Sequence, residues 1–560
     1  MGPTPNRSRA VPLAALLFSL TGCQPTADRP SEGSGSVIVA TGSDADNLVP
    51  PIVRGLTGKQ IIDQIFDYLA DPPATLNTVG DQGFTPRLAR SWTWSRDSLA
   101  ITFALNPAAR WHDGRPVRAG DVSFTLRVLK DPLTASPIAS GLKSIDSISV
   151  SDSLTATAWF NRRSPEQFFD LVYNVAVLPE HLLATVPRGH LAESPFAQHP
   201  VGSGRFRFES WEHGTSVELV ADTTNYRGRP KLDRVVWSVV PDPTTLVVKV
   251  LREEADFLEV VRGDGIKQVQ ESPVAKLVGY PSLDYGYVGF NFRERGSRTR
   301  PHQLFSDSTL RRALSLAIDR RAVVRSVVDT LGYVGIGPVV RAQASADTTL
   351  AMPAFDPAAA RALLDSIGWR DADGDGLRER RGAKLEFGLA VPSSSAIRRQ
   401  MAVLLQAQWQ AVGAKVRLDV IEPVTFFERL GKGQFDAMIN AWHTDPSPAG
   451  AEQAWGSRGG SNFTGYASAA FDAQLDSAAV EFDPAQSRSH YRRAYETIVN
   501  DFAAVWLFEA RYAAAAHKRL TIRGIRADAW WAGLPDWTIA AEQRLARDRV
   551  GLGSVAARTP

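Results

Sequence analysis

The sequence has a single cysteine, balanced charge and no long apolar run. Because one Cys occurs among 560 residues, at position 23, no disulfide within the chain and no thiolate metal cluster can form. Lys and Arg number 63 against 60 Asp and Glu, for a formal net charge of +3, and the two signs are interspersed. This balance argues against a nucleic-acid surface or a polybasic membrane surface. No apolar run reaches the roughly 20 residues that a transmembrane helix needs.

Motifs that carry catalysis are also missing. Residues 55–60 (GLTGKQ) contain Gly-Lys, but Val53 and Gln60 stand where a phosphate-binding loop needs Gly and Ser or Thr. Residues 551–556 (GLGSVA) resemble a dinucleotide-binding turn, yet no helix follows it. The nine His include no pair at the helical spacing of metal ligands. We therefore expect neither an enzyme, nor a bound cofactor, nor a histidine metal site.

The N-terminus, in contrast, carries an export signal. Arg7 and Arg9 precede the apolar residues 11–20, and residues 20–23 (LTGC) resemble a bacterial lipobox. This order predicts a lipoprotein signal peptide at residues 1–22, cleavage before Cys23 and lipid attachment to that residue. Without Arg7 and Arg9 the net charge falls by two, to about +1. The alternative is a soluble secreted protein with an incidental cysteine. Residues 23–35 are rich in Pro, Gly and Ser, which predicts a flexible tether.

The remaining sequence alternates short strands with amphipathic helices, which predicts α/β domains with mixed sheets. Residues 36–40 (SVIVA) and 100–105 (AITFAL) are predicted strands. Asp356 and Pro357 are typical of a helix start, and Gly368 of its end. Apolar residues at helical spacing predict further helices over residues 397–408 and 491–502, each followed by a strand. Polar residues from Ala546 onward predict a frayed tail at 546–560.

Seven blocks in order carry a family resemblance: residues 111–117 (WHDGRPV) with 121–124 (DVSF), 200–208 (PVGSGRFRF), 225–235 (NYRGRPKLDRV), 312–320 (RALSLAIDR), 355–376 (FDP to DGDG), 435–437 (FDA) and 462–472 (NFTGYASAAFD). They resemble the extracellular solute-binding proteins of family 5, the oligopeptide, dipeptide and nickel class. Two departures concern loops: Arg205 replaces a proline, and residues 251–256 (LREEAD) lack the usual glycine.

The resemblance implies a monomeric, two-lobed clamshell with three regions and a hinge between the lobes. Lobe I would comprise residues 36–70, 199–288 and 512–545, with an inserted region at 71–198. Lobe II would comprise residues 289–511. Ligand would lie between the lobes at the carboxyl ends of strands. The chain would cross between the lobes near residues 285–291 and 504–512.

The resemblance also implies ligand contacts. Asp445, in the segment after a predicted strand, matches the aspartate that holds the free α-amino group of peptide ligands; its alternative role is to start a turn with Pro446. Trp442 is a candidate for stacking on the ligand, or a core residue. His443 is a candidate contact, or a surface residue. Asn291 and Asn462 are further candidate contacts, for which a structural role is the alternative.

Asp371, Asp373 and Asp375 occupy the early positions of a calcium loop. Gly382, however, stands at the twelfth position, where such a loop needs a bidentate Glu. The alternative to a calcium site is therefore a solvated turn after a helix.

The function implied by the resemblance is that of a receptor for an ABC importer, which binds peptides or a related small solute and delivers them to a permease. The protein would be exported and anchored by lipid to a bacterial membrane, facing the periplasm or the cell exterior. Alternatives are a cell-surface sensor or chaperone-like binding lipoprotein, an exported hydrolase, and a receptor for a nickel chelate, an oligosaccharide or a haem-like compound.

Overall fold

A computed structural model describes residues 1–2 and 35–549. Most of the predicted signal peptide, Cys23 and the tether up to residue 34 lie outside the described residues, as do residues 550–560. Within the described residues, no helix is both long enough and apolar enough to cross a membrane.

The strands range from 2 to 16 residues. They are β1 Ser36–Thr41, β2 Ala70–Asp71, β3 Thr85–Pro86, β4 Ala89–Trp94, β5 Ala100–Leu105, β6 Ile145–Asp152, β7 Thr155–Phe160, β8 Phe206–Glu212, β9 Ser216–Ala221, β10 Arg234–Val239, β11 Phe257–Leu258, β12 Ala275–Phe290, β13 Gly332–Val334, β14 Glu379–Arg380, β15 Ala383–Lys384, β16 Glu386–Pro392, β17 Lys415–Ile421, β18 Ala437–His443, β19 Ala504–His517, β20 Leu520–Thr521 and β21 Thr538–Ile539.

The α-helices alternate with these strands. They are α1 Leu56–Ile65, α2 Ala119–Lys130, α3 Gln167–Asn174, α4 Glu180–Leu183, α5 Pro195–Gln198, α6 Pro243–Leu251, α7 Gly265–Gln270, α8 Ser308–Leu316, α9 Arg320–Val327, α10 Pro357–Ser366, α11 Ala396–Gln410, α12 Pro423–Gly431, α13 Gly450–Trp455, α14 Ala469–Ala478 and α15 Pro484–Asn500. The predicted α10 is capped as expected: the Asp356 side chain accepts the Ala359 N–H at 2.8 Å, and Gly368 has a φ of +84°.

The main sheet runs in the order β17-β16-β18-β12-β19-β11-β1-β10-β9-β8, with β13 pairing to β19. The pairs β16–β17, β16–β18, β1–β10 and β1–β11 are parallel, and the others are antiparallel. A separate antiparallel sheet, β4-β5-β7-β6, forms from residues of the inserted region. This arrangement confirms the predicted mixed α/β class.

Two long antiparallel strands, β12 and β19, join the two lobes. Ala275 to Pro281 pair with β19 on the side of β11 and β1, whereas Tyr285 to Gly289 pair with both β19 and β18. Between these halves the register shifts twice, between Pro281 and Tyr285 and between Gly286 and Tyr287. Such irregularities bend a strand and weaken its pairing, which is compatible with a hinge in these crossing strands, and the position of the hinge stays a prediction.

The apolar core is divided in the same way. On the lobe I side, one cluster includes Val37, Ile61, Trp237 and Trp537, and a smaller one includes Val250. The inserted region has its own cluster around the four-stranded sheet. Two clusters lie on the lobe II side. One includes Tyr287, Tyr495 and Trp506, and the other includes Leu389, Trp409 and Leu507. The exact boundaries of the regions stay predictions.

The quoted sequence blocks are largely structural. Trp111 is buried and its Nε1 donates to Asp121 at 3.3 Å, while Asp121 also accepts the Arg118 N–H and caps α2. Gly202 lies against α1 so closely that a Cβ at this position would be 1.9 Å from the Ile65 carbonyl oxygen. Only glycine allows this backbone approach.

The frayed tail predicted from Ala546 needs correction, because the structured chain continues to Arg549. Asp548 is 1% exposed, and its carboxylate accepts the Ser36 N–H at 3.2 Å and pairs with the buried Arg519. Arg547 donates to Asp256 at 2.7 Å. These contacts hold Asp548 against the first residue of β1, so residues 546–548 pack on lobe I.

Candidate functional site

The carboxyl ends of the parallel strands point toward the crossing strands from both lobes. In lobe II, β18 ends at His443, which lies opposite Asp284 just beyond the first register shift of β12. In lobe I, β11 runs from Phe257, opposite Ala516, to Leu258, opposite Ala515, and β1 runs parallel to it. Both sets of strand ends therefore approach the hinge, which is where open α/β sheets bind ligands.

Asp445 lies in the loop that follows β18 and is exposed. Among the described residues, its carboxylate takes part in no hydrogen bond and no ion pair. Its charge does act on its surroundings, because it contributes to raising the pKa of both His443 and Glu166. The position suits an acceptor for a ligand cation.

His443 forms a hydrogen bond with β12, one of the two crossing strands. Its Nδ1 lies 2.8 Å from Asp284 Oδ1, and the Tyr512 hydroxyl of β19 donates to the other oxygen of Asp284. The hydrogen bond to Asp284 raises the pKa of His443, which favours the imidazolium. Although burial alone would raise the pKa of Asp284, the hydrogen bonds from His443 and Tyr512 hold it below its ordinary value. The hydrogen bonds from His443 and Tyr512 to Asp284 thus link β18 with both crossing strands, β12 and β19.

The other candidate contacts have structural partners. Trp442 is half-buried and packs against the lobe II cluster that includes Tyr287. Asn291 is 2% exposed, and its amide donates to the Gly433 and Phe435 carbonyl oxygens at 3.2 and 2.8 Å. It adjoins the start of β18, seven strand residues and roughly 20 Å from the Asp445 end.

Asn462 is likewise occupied by its own loop. Its amide donates to the Gly456 carbonyl at 3.0 Å and to the Tyr466 carbonyl at 2.7 Å, and its oxygen accepts the Thr464 hydroxyl. The structure does not bring Asn291 or Asn462 together with Asp445, and we leave both out of the proposed site.

Helix α3 of the inserted region reaches lobe II, which sequence reasoning missed. Glu166, at its N-terminus, accepts the Ser447 hydroxyl at 2.7 Å and the Thr78 hydroxyl at 2.5 Å. One turn on, the Asp170 carboxylate takes part in no hydrogen bond among the described residues. Burial first, and the charge of Glu166 second, raise the pKa of Asp170 to about 8. Glu166 and Ser447 are 281 positions apart, so no local pattern indicates this contact.

A polar cavity of about 370 Å³ lies between lobe I and the inserted region. Tyr173 of α3, Trp531 and Tyr68 supply aromatic surface, and the charged side chains on its wall are in ion pairs. Asp63, for example, accepts Lys59 Nζ at 2.6 Å and Trp531 Nε1 at 2.8 Å. Since no lobe II residue lines it, we do not assign the ligand to this cavity alone.

The acidic turn is an exposed loop. Carboxylate oxygens of Asp371, Asp373 and Asp375 lie within 4.8 Å of one another. Asp371 accepts the Gly374 and Gly376 N–H groups, and the Lys384 ammonium pairs with Asp375 at 2.5 Å. The turn is thus satisfied by its own N–H groups and a lysine, which favours the solvated turn over a calcium loop.

Comparison with known proteins gives a consistent result. The family model described as "Bacterial extracellular solute-binding proteins, family 5 Middle" matches residues 83–463. The oligopeptide-binding protein AppA of Bacillus subtilis is 27% identical over 417 residues, which is 73% of this chain and 75% of AppA.

Two solved structures share the fold. The ABC transporter substrate-binding protein CtaP of Listeria monocytogenes superimposes with a TM-score of 0.77 at 20% identity, covering 91% of this chain and 100% of CtaP. NikZ of Campylobacter jejuni, in complex with Ni(L-His), gives a TM-score of 0.69 at 20% identity, covering 90% of this chain and 99% of NikZ.

Proposed function

This chain belongs to family 5 of the bacterial extracellular solute-binding proteins, and we propose that it is the receptor of an ABC importer that captures peptides between its lobes. The name of its relative AppA, an oligopeptide-binding protein, supports a peptide ligand. The observation that carries the proposal is the exposed carboxylate of Asp445, which has no hydrogen bond or ion pair among the described residues and lies at the end of β18 beside the hinge.

In this proposal Asp445 binds the α-ammonium group of the peptide. A charge-assisted hydrogen bond between an ammonium and a carboxylate is roughly twice as strong as a neutral one. Closure of the lobes removes Asp445 from water, which is costly for an unpaired carboxylate and much less so for a paired one. The ligand cation therefore favours the closed form, and the receptor closes on a loaded cleft. No catalytic step is needed.

The neighbouring charges support a cationic group at this end. Glu166 lies against the Asp445 loop, where it accepts the Ser447 hydroxyl at 2.7 Å. The nearest basic side chain along the sequence, that of His443 at the end of β18, is already paired with Asp284. An anionic ligand end would meet like charges here, so we place the peptide carboxylate elsewhere in the cleft.

A thermal-shift screen tests the ligand class. We expect trialanine to stabilise the protein by about 2.7 kcal/mol at a hundred times its dissociation constant. N-acetyl-trialanine, which lacks the ammonium, should stabilise far less. Asp445→Asn should abolish the response, whereas Asp146→Asn, an exposed aspartate on β6, should not change it.

Other outcomes redirect the assignment. A nickel–histidine complex or an oligosaccharide that shifts the melting temperature, when no peptide does, would replace the peptide as ligand. The nickel complex is the specific alternative, because NikZ shares the fold. Cleavage of trialanine during incubation would instead make the protein a hydrolase.

We further propose export, lipid attachment at Cys23 and a position on the outer side of a bacterial membrane, with permease subunits as partners. Membrane fractionation tests the anchor: Cys23→Ser should release the protein, and a variant that stays in the membrane fraction would contradict lipid attachment. Loss of peptide uptake on deletion of the gene would support import over a sensor or chaperone-like role.

A further inference from the structure

Gln343 holds the loop that carries Asp445. It is 4% exposed, and its amide nitrogen lies 2.9 Å from the Asp445 carbonyl oxygen, 3.3 Å from Thr444 Oγ1 and 3.4 Å from the Ser447 carbonyl oxygen. Its amide oxygen accepts the Val340 N–H at 3.2 Å, which fixes which way the amide points. One buried side chain thus contacts three residues of the loop, Thr444, Asp445 and Ser447.

Besides Gln343, the loop is held at Ser447, whose hydroxyl donates to Glu166 at 2.7 Å. Pro446 and Pro448 have no N–H to donate. Thr444 donates its N–H to the Leu283 carbonyl of β12 at 2.8 Å, which fixes the start of the loop. Beyond Thr444, the Asp445 carbonyl has Gln343 as its nearest donor, with the Thr444 hydroxyl at 3.4 Å. The direction of the Asp445 backbone therefore depends on Gln343.

The segment that carries Gln343 is fastened to the crossing strand. Arg341, two residues earlier, donates its N–H to Glu509 Oε2 at 2.7 Å, and its guanidinium pairs with the other oxygen. Glu509 is 3% exposed and lies in β19, opposite Tyr285, where the register of the crossing strands is irregular. The guanidinium also lies over the Tyr333 ring, 4.9 Å from its centroid.

We propose that Gln343 is a positioning residue for ligand binding. It sets the orientation of Asp445, and through Arg341 and Glu509 it ties the ligand loop to the strand that bends at the hinge. The loop and the hinge then move as one unit, so Asp445 keeps its geometry while the lobes close. This inference rests on the proposed role of Asp445 in binding the peptide α-ammonium. A residue that only stabilised lobe II would not depend on Asp445.

A double-mutant cycle separates these roles. Dissociation constants for trialanine are measured by calorimetry for the whole exported chain and for Gln343→Met, Asp445→Asn and the double variant. We expect Gln343→Met to weaken binding at least tenfold in the native background and less than threefold in the Asp445→Asn background. Gln406→Met is the matched control, since Gln406 also donates to a lobe II carbonyl, that of Val416, but lies on α11. It should leave the affinity unchanged.

Equal losses in both backgrounds, or no loss in the native one, would overturn the positioning role. If Gln343→Met does not fold, Arg341→Gln replaces it in the same cycle, because it removes the guanidinium pair with Glu509, keeps the backbone N–H bond and leaves Gln343 in place. The same criteria then apply.

Hydrogen exchange distinguishes failure of this inference from failure of the peptide proposal. In the unliganded protein, Gln343→Met should speed amide exchange in residues 443–449 at least tenfold, while Gln406→Met should not. If trialanine does not bind the unmodified protein, the peptide proposal fails, and this measurement alone decides whether Gln343 orders the loop. Unchanged exchange there would overturn the inference.

Discussion

Glu509 predicts an unusual pH dependence of stability. It lies almost fully buried in β19, and burial outweighs the backbone and side-chain contacts of Arg341, raising the pKa of its carboxyl from 4.5 to about 6. The folded and unfolded pKa values thus differ by about 1.5, which corresponds to about 2 kcal/mol of folding free energy. Since the folded pKa lies above the unfolded one, the folded state binds more protons between pH 4.5 and 6. Stability from this group is therefore present below pH 4.5 and is lost as the pH rises through 6.

Glu509→Gln should remove this loss. Gln resembles the protonated carboxyl, so we expect the variant to match the unmodified protein at pH 4.5 and to exceed it by up to about 2 kcal/mol at pH 7. Urea unfolding at half-unit steps from pH 4.5 to 7 measures the difference, with fluorescence and far-UV circular dichroism required to give the same transition.

The exposed Glu209→Gln serves as the control and should show no pH-dependent difference. A difference for Glu509→Gln that stays constant over this range would refute the reasoning, and so would a variant that loses stability relative to the unmodified protein as the pH rises. Either result would mean that Arg341 compensates the buried charge in full.

Three further predictions test other parts of the molecule. The raised pKa of Asp170, about 8, means that its stabilising contribution is lost as the pH rises from 4 to 8. In urea unfolding, Asp170→Asn should therefore be more stable than the unmodified protein by a few kcal/mol at pH 8 and equally stable at pH 4. Equal stability at pH 8 would contradict this. Gly202→Ala should destabilise by at least ~3 kcal/mol because its Cβ meets the Ile65 carbonyl, whereas Gly141→Ala, with open space around it, should cost little in the same assay; a small effect at Gly202 would disprove the close approach. Calorimetric titration with Ca²⁺ should show no micromolar binding at the acidic turn, where Lys384 already pairs with Asp375, and micromolar uptake lost in Asp373→Ala would prove this wrong.

Much of the fold could be predicted because its signals are local. The strand predicted at residues 100–105 is β5, and the cap at Asp356 and Pro357 begins α10 as expected. The prediction of a frayed tail is wrong for residues 546–548, because the polarity of Arg547 and Asp548 reflects ion pairs with Asp256 and Arg519, which are 291 and 29 positions away. Composition cannot distinguish a solvated charge from a paired one.

The missing glycine in residues 251–256 shows the same limit. The structure gives Glu253 a φ of +62°, a conformation that favours glycine and costs other residues on the order of 1 kcal/mol. The Glu253 carboxylate lies 3.0 Å from His517 Nε2. The sequence shows that the loop departs from the family pattern, but this contact spans 264 positions and has no local signal.

The candidate site was predictable only where one residue carries the chemistry. Asp445 follows a strand and is indicated by the family resemblance, and its role in binding stays a prediction. Gln343 and Glu166 contribute by holding or facing the same loop from segments about 100 and 280 positions away, and neither lies in a motif. Tertiary contacts of this kind leave no periodic signal.

Under the peptide proposal, the arrangement of carboxylates disfavours closure of the empty receptor. Asp445 is solvated in this structure, Glu166 already accepts two hydroxyls, and burial disfavours the charged form of Asp170. Closing the lobes without a cation would remove Asp445 from water beside Glu166, adding a desolvation cost to a repulsion between like charges. A ligand ammonium relieves both terms at once, whereas a neutral ligand end relieves neither. Under the peptide proposal, selectivity for a free amino terminus thus comes from the same charges that keep the lobes apart.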